Sequence, residues 1–355
     1  MKKHVGLIYG GKSAEHEVSL STAFAVMQAI DFTKYDVVPI YITNEGIWRK
    51  GEVLAQPFTS VEELVIQGEG STDSIAQLFR EGSTPIDVFF PLLHGTNGED
   101  GTVQGLFEVL DVPYVGNGVL ASSAGMDKVV MKQLFDHVGL AQVPYMTFVR
   151  YEWEHAREQL LEDAENNFSW PLFVKPANAG SSVGITKATD RDSLEKGIDE
   201  ALKFDRKIVI EQGIDAREIE MGVLGYNETY CSVPGEIRPK DVDFYDYEAK
   251  YADASTELII PADVTEEVKE KMTAMATAAF NVLDCSGLVR ADFFVTATNE
   301  VYINEVNTMP GFTPTSMFPL LWKATGVDYP TLIDRLIQYA FDRYEEKQQI
   351  QYTIK

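Results

Sequence analysis

In the first third of the chain, short apolar runs alternate with segments whose apolar residues recur at helical spacing. Residues 4–9 predict a buried strand, residues 10–13 a turn, and residues 18–30 a helix. Three further apolar runs predict strands, at 36–42, 85–93 and 112–115. Strands separated by helices are typical of a parallel sheet covered on both faces, so residues 1–125 predict a doubly wound α/β domain.

The pattern changes at residue 126, and two further units are predicted. Residues 126–213 predict a small α/β unit, with helices at 127–138 and 192–202 and strands at 145–150, 172–175, 183–187 and 207–211. Residues 214–355 predict strands at 218–225 and 230–237, a helix at 265–283, a hairpin at 288–307 and a last helix that begins at Asp328–Pro330. Residues 238–255 form a long polar loop, and we expect this loop to be mobile and functional.

Charge and composition narrow the classes of partner. The 355 residues carry 30 Lys and Arg against 55 Asp and Glu, a formal net charge of −25. Such a surface repels polyphosphate backbones, so nucleic acid is not expected as a partner, whereas a small anion in a local basic pocket is compatible with it. No apolar run approaches the ~18–20 residues of a membrane span. We therefore expect a soluble, cytoplasmic protein in which Cys231 and Cys285 are buried thiols.

Two motifs resemble known catalytic loops but lack the context that those loops need. Residues 6–13 fit the phosphate-loop pattern G-x4-G-K-S/T, yet Gly6 lies inside the predicted strand rather than at its end. Residues 180–184 fit the hydrolase pattern G-x-S-x-G, which needs a helix after the serine and a later histidine. All five histidines precede Ser182, and the residues after it predict a strand. Neither a P-loop nucleoside triphosphatase nor a serine hydrolase is favoured.

The predicted hairpin places polar side chains of metal-binding type on one face. With a two-residue turn at 298–299, Asp292 would lie opposite Glu305, and Arg290 opposite Asn307. Residues two apart in a strand share a face, so two carboxylates and an amide oxygen would meet. Oxygen ligands of this kind suit Mg²⁺ bound with nucleotide phosphates, but a solvated face with a cross-strand salt bridge accounts for the pattern equally well.

Three lysines lie where they could bind phosphate. Lys175 ends an apolar strand directly before a loop of small residues, 176–184, whose backbone N–H groups could close over phosphate. Lys128 opens a helix, and Lys250 lies in the long loop. Each lysine alone is more often a solvated surface charge. Together with the candidate metal ligands, they indicate ATP binding.

Five motifs occur in a fixed order along nearly the whole chain. They are Gly10–Ser19, His94–Gly101, Val174–Gly184, Phe244–Tyr251 and Asn304–Gly311. In sequence and order they closely resemble the motifs of the D-alanine–D-alanine ligases, a family of the ATP-grasp superfamily. The resemblance implies a substrate domain at 1–125 and two ATP-grasp subdomains, at 126–213 and 214–355, with ATP between them.

The resemblance also implies a reaction and its residues. One D-alanine would be phosphorylated by ATP to an acyl phosphate, and the amine of a second would attack it, giving a peptidoglycan precursor. Two Mg²⁺ or Mn²⁺ ions would be held by Asp292, Glu305 and Asn307. ATP would contact Lys128, Lys175, Glu211, Gln212, Ile214, Glu218 and Lys250. Catalysis would involve Glu15, Ser181, Tyr251, Lys250, Arg290 and Gly311, and substrate would contact Glu15, Ser316 and Met317.

Two other interpretations remain, and the resemblance leaves some questions open. A different ATP-grasp ligase would share the phosphate and metal residues, but the set Glu15, Ser181 and Tyr251 favours D-alanine. A non-catalytic nucleotide-binding protein would predict a broken metal-ligand set, and here the set is intact. His94 and Glu99 would lie near the site without an assigned chemical step. The family also suggests a homodimer.

Overall fold

The computed structural model describes residues 2–68, 75, 84–180, 182–239 and 256–351, and these residues form three β-sheets flanked by helices. Three of the predicted catalytic residues, Ser181, Lys250 and Tyr251, lie outside the described residues. So does most of the predicted loop 238–255, of which only the first two residues are described.

The N-terminal sheet is parallel around its central strand. Its strands are β1 (Lys3–Gly10), β2 (Tyr35–Ile42), β3 (Trp48–Lys50) and β4 (Val88–Pro91), in the order β3-β2-β1-β4. Strand β1 runs parallel to β2 and β4, and β3 is antiparallel to β2. The helices of this region are α1 (His16–Ala29), α2 (Thr102–Leu110) and α3 (Val119–Met126).

Both faces of this sheet are buried, as the doubly wound prediction requires. Leu7 and Tyr9 of β1 share one core with Val26 of α1. Ile8, which points to the other face, shares a second core with Phe107 of α2. The predicted fold class of this region is therefore confirmed.

Two predicted strand ranges in this region were wrong. The strand expected at 85–93 covers only Val88–Pro91. The strand expected at 112–115 is reduced to a single bridge between Tyr114 and Phe89. Gly116 follows this bridge with φ of +96°, a left-handed conformation that glycine adopts without strain.

The central sheet is antiparallel and carries the residues on one side of the candidate site. Its elements are α4 (Lys128–His137), β5 (Tyr145–Val149), α5 (Arg150–Asn167), β6 (Leu172–Pro176), β7 (Thr186–Ala188), α6 (Arg191–Ala201) and β8 (Lys207–Gln212), with strand order β5-β8-β6-β7. Helix α4 begins where it does because Asp127 caps it, accepting hydrogen bonds from the Val129 and Val130 N–H groups. The segment after Ser182 is a turn leading into β7, which excludes the helix of a hydrolase elbow.

The C-terminal sheet is also antiparallel. Its elements are β9 (Ala216–Gly225), β10 (Thr229–Pro239), β11 (Thr256–Ile259), α7 (Glu266–Val282), β12 (Gly287–Thr296), β13 (Val301–Asn307), α8 (Met317–Ala324) and α9 (Tyr329–Lys347), with strand order β11-β10-β9-β12-β13. Apolar residues of α7 such as Phe280 pack on this sheet. Helix α9 begins as predicted, with Asp328 capping the Thr331 N–H and Pro330 in the first turn.

The β12–β13 hairpin has the predicted pairing but a different turn. Arg290 pairs with Asn307, and Asp292 with Glu305. The connection nevertheless has three residues, because the Thr296 N–H donates to the Glu300 carbonyl. A register shift directly after Asp292 compensates for the longer turn. The predicted two-residue turn was therefore wrong, although the polar pairs that it was used to predict are correct.

A buried polar junction joins the N-terminal and C-terminal regions. The Asn117 side-chain amide donates to the carbonyls of Leu288 and Thr308 at 2.7 and 2.8 Å, and its oxygen accepts from the Ser286 N–H at 2.9 Å. Arg343 of α9 donates to the Tyr114 carbonyl at 2.9 Å. The last helix is thereby fixed to the first domain.

The prediction that both cysteines are buried thiols is confirmed for Cys285 and was wrong for Cys231, which is only partly buried. Both are free thiols. Among the described helices, none has the length and apolar character to cross a membrane.

Candidate active site

A buried carboxylate between two lysines forms the floor of the candidate site. Lys175 on β6 and Glu211 on β8 project from the same face of the central sheet, and their Nζ and Oε2 atoms are 2.5 Å apart. Lys132 on α4 approaches the other oxygen, Oε1, at 2.9 Å. The predicted ATP-binding residues Lys175 and Glu211 are therefore in direct contact.

The pKa values of Glu211, Lys175 and Lys132 are set by their burial and by their mutual attraction. Burial raises the pKa of Glu211, but Lys132 and Lys175 outweigh it and lower that pKa to about 2. Burial lowers the pKa of Lys175, but the attraction of Glu211 dominates and the net direction is upward. The pKa of Lys132 is lowered instead, because burial outweighs the attraction of Lys132 to Glu211.

Lys128 connects the central and C-terminal sheets. Its Nζ lies 3.2 Å from Glu305 Oε2 on β13 and donates to the Ala179 carbonyl at 3.1 Å. Ala179 lies in the small-residue loop, so a predicted phosphate ligand, a predicted metal ligand and the predicted phosphate loop meet at one point.

The small-residue loop is anchored by its own polar contacts. The backbone N–H and the side-chain amide of Asn178 both donate to Asp205 Oδ2 at 2.8 Å. Asp127, which caps α4, forms an ion pair with Lys207 of β8. These contacts attach the loop to the sheet beside Lys128.

One predicted metal ligand, Asp292, is paired with an arginine. Arg290 donates to both oxygens of Asp292 at 2.7 Å, and its Nε lies 2.9 Å from Glu220 Oε2 on β9. The Asn307 side-chain amide donates to Asp292 Oδ2 at 2.9 Å. Burial opposes the charge of Arg290, but Asp292 and Glu220 outweigh it and raise the pKa of its guanidinium.

The donor set fits a divalent cation. Asp292 and Glu305 are carboxylates held on one hairpin, and the Asn307 amide that donates to Asp292 leaves its oxygen to accept elsewhere. These hard oxygen donors are of the type that Mg²⁺ prefers. No group of three His, Cys, Asp or Glu suited to a metal occurs in the described ranges. The third ligand of the predicted set is instead an amide.

The remaining residues of the predicted adenine and ribose pocket lie at the end of β8 and the start of β9. Gln212, Ile214 and Glu218 are all partly exposed. Gln212 Oε1 accepts from the Ser169 N–H at 3.0 Å. Glu218 lies near enough to Lys175 to favour its charged form.

Glu15 brings the N-terminal domain to the same site. It precedes the first turn of α1, and its N–H donates to Ser13 Oγ at 3.1 Å. A Cβ placed on Gly180 would lie 4.0 Å from Glu15 Oε2, so the carboxylate faces the small-residue loop. Its predicted partner Ser181 is the next residue of that loop, outside the described ranges.

His94 and Glu99 lie beside Glu15, but their contacts assign them no chemical step. Glu99 Oε1 accepts from the Gly95 N–H at 3.0 Å and lies 3.5 Å from His94 Nδ1. Burial raises the pKa of Glu99, the His94 contact opposes the shift, and the nearby Glu15 charge adds to it. Both residues are neighbours of Glu15, the carboxylate that is predicted to contact the first substrate.

The predicted second-substrate residues lie at the start of α8. Ser316 Oγ accepts from the Thr313 N–H at 3.1 Å. It would lie 3.2 Å from a Cβ placed on Gly311, so the two predicted residues are adjacent. The Met317 side chain is buried in a small apolar core with Leu321, so its backbone rather than its side chain is available.

Two charged residues of the site were missed by sequence reasoning. Lys132 lies four residues after Lys128, and this spacing places both on one helix face, so periodicity could have indicated it. Glu220 pairs with Asp292 across β9 and β12, and this pairing between distant segments left no local pattern.

The architecture and the arrangement of lysines and carboxylates define an ATP-grasp protein. Two protein-family models match the sequence: "D-ala D-ala ligase N-terminus" matches residues 4–117, and "D-ala D-ala ligase C-terminus" matches residues 134–338. The chain belongs to the D-alanine–D-alanine ligase family.

Individual relatives resemble this chain over its whole length. The D-alanine–D-alanine ligase of Bacillus licheniformis is 56% identical over 361 residues, which cover 99% of this chain and 100% of that protein. The solved D-alanine-D-alanine ligase from Coxiella burnetii superposes with a TM-score of 0.80 at 32% identity, covering 98% of this chain and 96% of that one. The solved VanG D-Ala:D-Ser ligase from Enterococcus faecalis superposes with a TM-score of 0.81 at 32% identity, covering 96% of this chain and 100% of that one.

Proposed function

We propose that this protein joins two molecules of D-alanine to D-alanyl-D-alanine, converting ATP to ADP and phosphate, as a step of peptidoglycan precursor synthesis. The observation that carries the proposal is the meeting of Lys128, Glu305 and the small-residue loop in a chain that matches the ligase family from end to end.

In the first step, a carboxylate oxygen of one D-alanine attacks the γ-phosphorus of ATP. The bond between that phosphorus and the β–γ bridging oxygen breaks, so an acyl phosphate and ADP form. Lys128 and Lys175 bind the α- and β-phosphates, and Lys250 reaches the γ-phosphate. Glu211, Gln212, Ile214 and Glu218 bind the adenine and ribose.

A divalent cation, Mg²⁺ or Mn²⁺, neutralises phosphate charge during this transfer when it is bound. Asp292, Glu305 and Asn307 would hold it, with two ions as the expected number. Arg290 contacts Asp292, and Lys128 contacts Glu305, in the protein described here. A bound cation would replace part of these ion pairs.

In the second step, the amine of the other D-alanine attacks the acyl carbon, and the carbon–oxygen bond to phosphate breaks. Arg290 and the Gly311 N–H stabilise the oxyanion. Glu15 binds the ammonium of the first D-alanine and, with Ser181 and Tyr251, orients the second amine and helps to remove its proton, which the departing phosphate takes up.

The second substrate is held at the start of α8, where Ser316 and the Met317 backbone contact its carboxylate. Tyr251 supports the choice of an amine over a hydroxyl nucleophile, because its hydroxyl belongs to the Glu15 network. We expect Tyr251→Phe to raise the share of D-alanyl-D-lactate when D-lactate competes with D-alanine. An unchanged product ratio, measured by mass spectrometry, would contradict this role.

We also propose a cytoplasmic location, where ATP is available, and a homodimer, as the family resemblance implies. Light scattering of the purified protein would test the dimer, since a mass of 39.6 kDa corresponds to one chain. A single-chain mass at micromolar concentration would refute it.

The function is tested by phosphate release with ATP and Mg²⁺, adding D-alanine, L-alanine, or D-alanine with D-serine or D-lactate. Release that depends on D-alanine, with the dipeptide found by mass spectrometry, is expected. ATP binding without D-alanine-dependent release would refute the substrate and leave an ATP-grasp enzyme of other specificity.

A further inference from the structure

Lys132 is a buried cation to which the proposed reaction gives no task. Only 1% of its side chain is exposed, and its Nζ lies 5.1 Å from the centre of the Tyr145 ring. The 2.9 Å contact with Glu211 Oε1 lacks hydrogen-bond geometry, and no other acceptor among the described residues meets that geometry. Burying an ammonium group in this way is costly, so a compensating role is expected.

The net charge of three buried residues points to that role. These residues, the buried trio, are Lys132, Lys175 and Glu211, which together carry two positive charges and one negative charge, a net charge of +1. Lys175 cannot pair fully with Glu211 and also bind phosphate. When Lys175 turns to a phosphate oxygen, Glu211 keeps a cation only because Lys132 lies on its other oxygen.

We infer that Lys132 is a positioning residue for nucleotide binding, which balances the charge of Glu211 so that Lys175 is free to bind ATP phosphates. The inference rests on the proposed function. Without Lys132, Lys175 becomes the only cation on a buried carboxylate, and moving it to phosphate leaves that carboxylate unpaired. The removal of Lys132 should therefore weaken the binding of ligands that carry phosphates and leave the binding of adenosine unchanged.

The test compares Lys132→Met with the double variant Lys132→Met/Glu211→Gln. The single variant has a trio charge of zero, and the double variant restores +1 by removing the carboxylate. Binding of ATP with Mg²⁺, and of adenosine, is measured by calorimetry on the full-length protein. We expect about tenfold weaker ATP binding for Lys132→Met with adenosine unchanged. Because Glu211 is also proposed to contact the adenine and ribose, the double variant is judged by the ratio of its ATP affinity to its adenosine affinity, which should recover to within about threefold of the wild-type ratio.

Several outcomes would overturn the inference. Equal losses for ATP and adenosine in Lys132→Met would show that Lys132 only supports the fold. A double variant whose ratio of ATP affinity to adenosine affinity is no higher than that of the single variant would refute the charge balance. If Lys132→Met fails to fold, as judged by thermal melting, the double variant decides alone, and a ratio about tenfold below wild type refutes the inference. Wild-type protein that binds no ATP would instead refute the proposed function.

Discussion

Gly95 offers a direct test of the proposed first-substrate position of Glu15. Its φ is +76°, and a Cβ at this position would lie 2.8 Å from Glu15 Oε2 and 2.8 Å from Ser13 Oγ. Gly95→Ala therefore introduces two effects, a strained left-handed backbone and a displacement of the Glu15 carboxylate. The strain alone costs about 1–2 kcal/mol of stability.

Gly139 separates these two effects. Its φ is +73°, and no atom lies within 4 Å of the position of an added Cβ. Gly139→Ala should lose the same ~1–2 kcal/mol in the free energy of unfolding. It should leave Glu15 in place, so it is a matched control for backbone strain.

The assay is the rate of ADP release as a function of D-alanine concentration. A displacement of about 1 Å in a binding group costs up to about a hundredfold in rate, so we expect Gly95→Ala to lower kcat/KM for D-alanine by at least about tenfold. Gly139→Ala should match wild type. Equal kcat/KM values for the two alanine variants would refute the reasoning and remove Glu15 from the substrate site.

Three further perturbations test the junction, the buried carboxylate and the arginine. Asn117→Ala removes three buried hydrogen bonds and should lower the free energy of unfolding in urea by about 3 kcal/mol; a loss below about 1 kcal/mol would contradict the junction. The native pKa of Glu211 is about 2 against an ordinary 4.5, so its charge stabilises the fold above pH 4.5, and this stability is lost as pH falls toward 2. Between about pH 6 and about pH 3, the free energy of unfolding should therefore fall less in Lys132→Met/Glu211→Gln than in wild type. An equal fall in the two proteins would exclude Glu211 as a source of the pH dependence. Arg290→Lys keeps the charge but cannot form the two-bond pair with Asp292, so kcat should fall about 10–100-fold with little change in ATP affinity; an unchanged kcat would exclude the oxyanion role.

The sequence predicted the fold class because periodicity carries most of that information. The parallel N-terminal sheet follows from the local apolar pattern, and the start of α9 follows from Asp328. The strand at 112–115 failed because a short apolar run is equally compatible with an extended loop that forms one bridge. Local pattern identifies elements better than it identifies their pairing.

The candidate site was predicted in part by cross-strand geometry and in part by resemblance. The pairs Arg290–Asn307 and Asp292–Glu305 came out correctly because a longer turn and a register shift cancel. The four-residue spacing of Lys128 and Lys132 could have indicated that Lys132 faces the site. Its contact with Glu211, and that of Glu220 with Arg290, join segments far apart in the chain, and no local pattern predicts such contacts. The roles of the individual residues remain predictions.

The shared core of the first strand and the last helix has a consequence for how the protein is made. Leu7 of β1 lies in the same core as Leu336 of α9. A ribosome adds about 5–20 residues per second, and about 255 residues separate the end of β4 from the end of α9, so the sheet that forms first waits roughly 13–50 s for the helix that covers it. During that interval the part of this face that α9 covers in the finished fold is open to solvent, although α1 already packs on its other part. Chaperones that bind exposed apolar surface would protect the chain until α9 has been made.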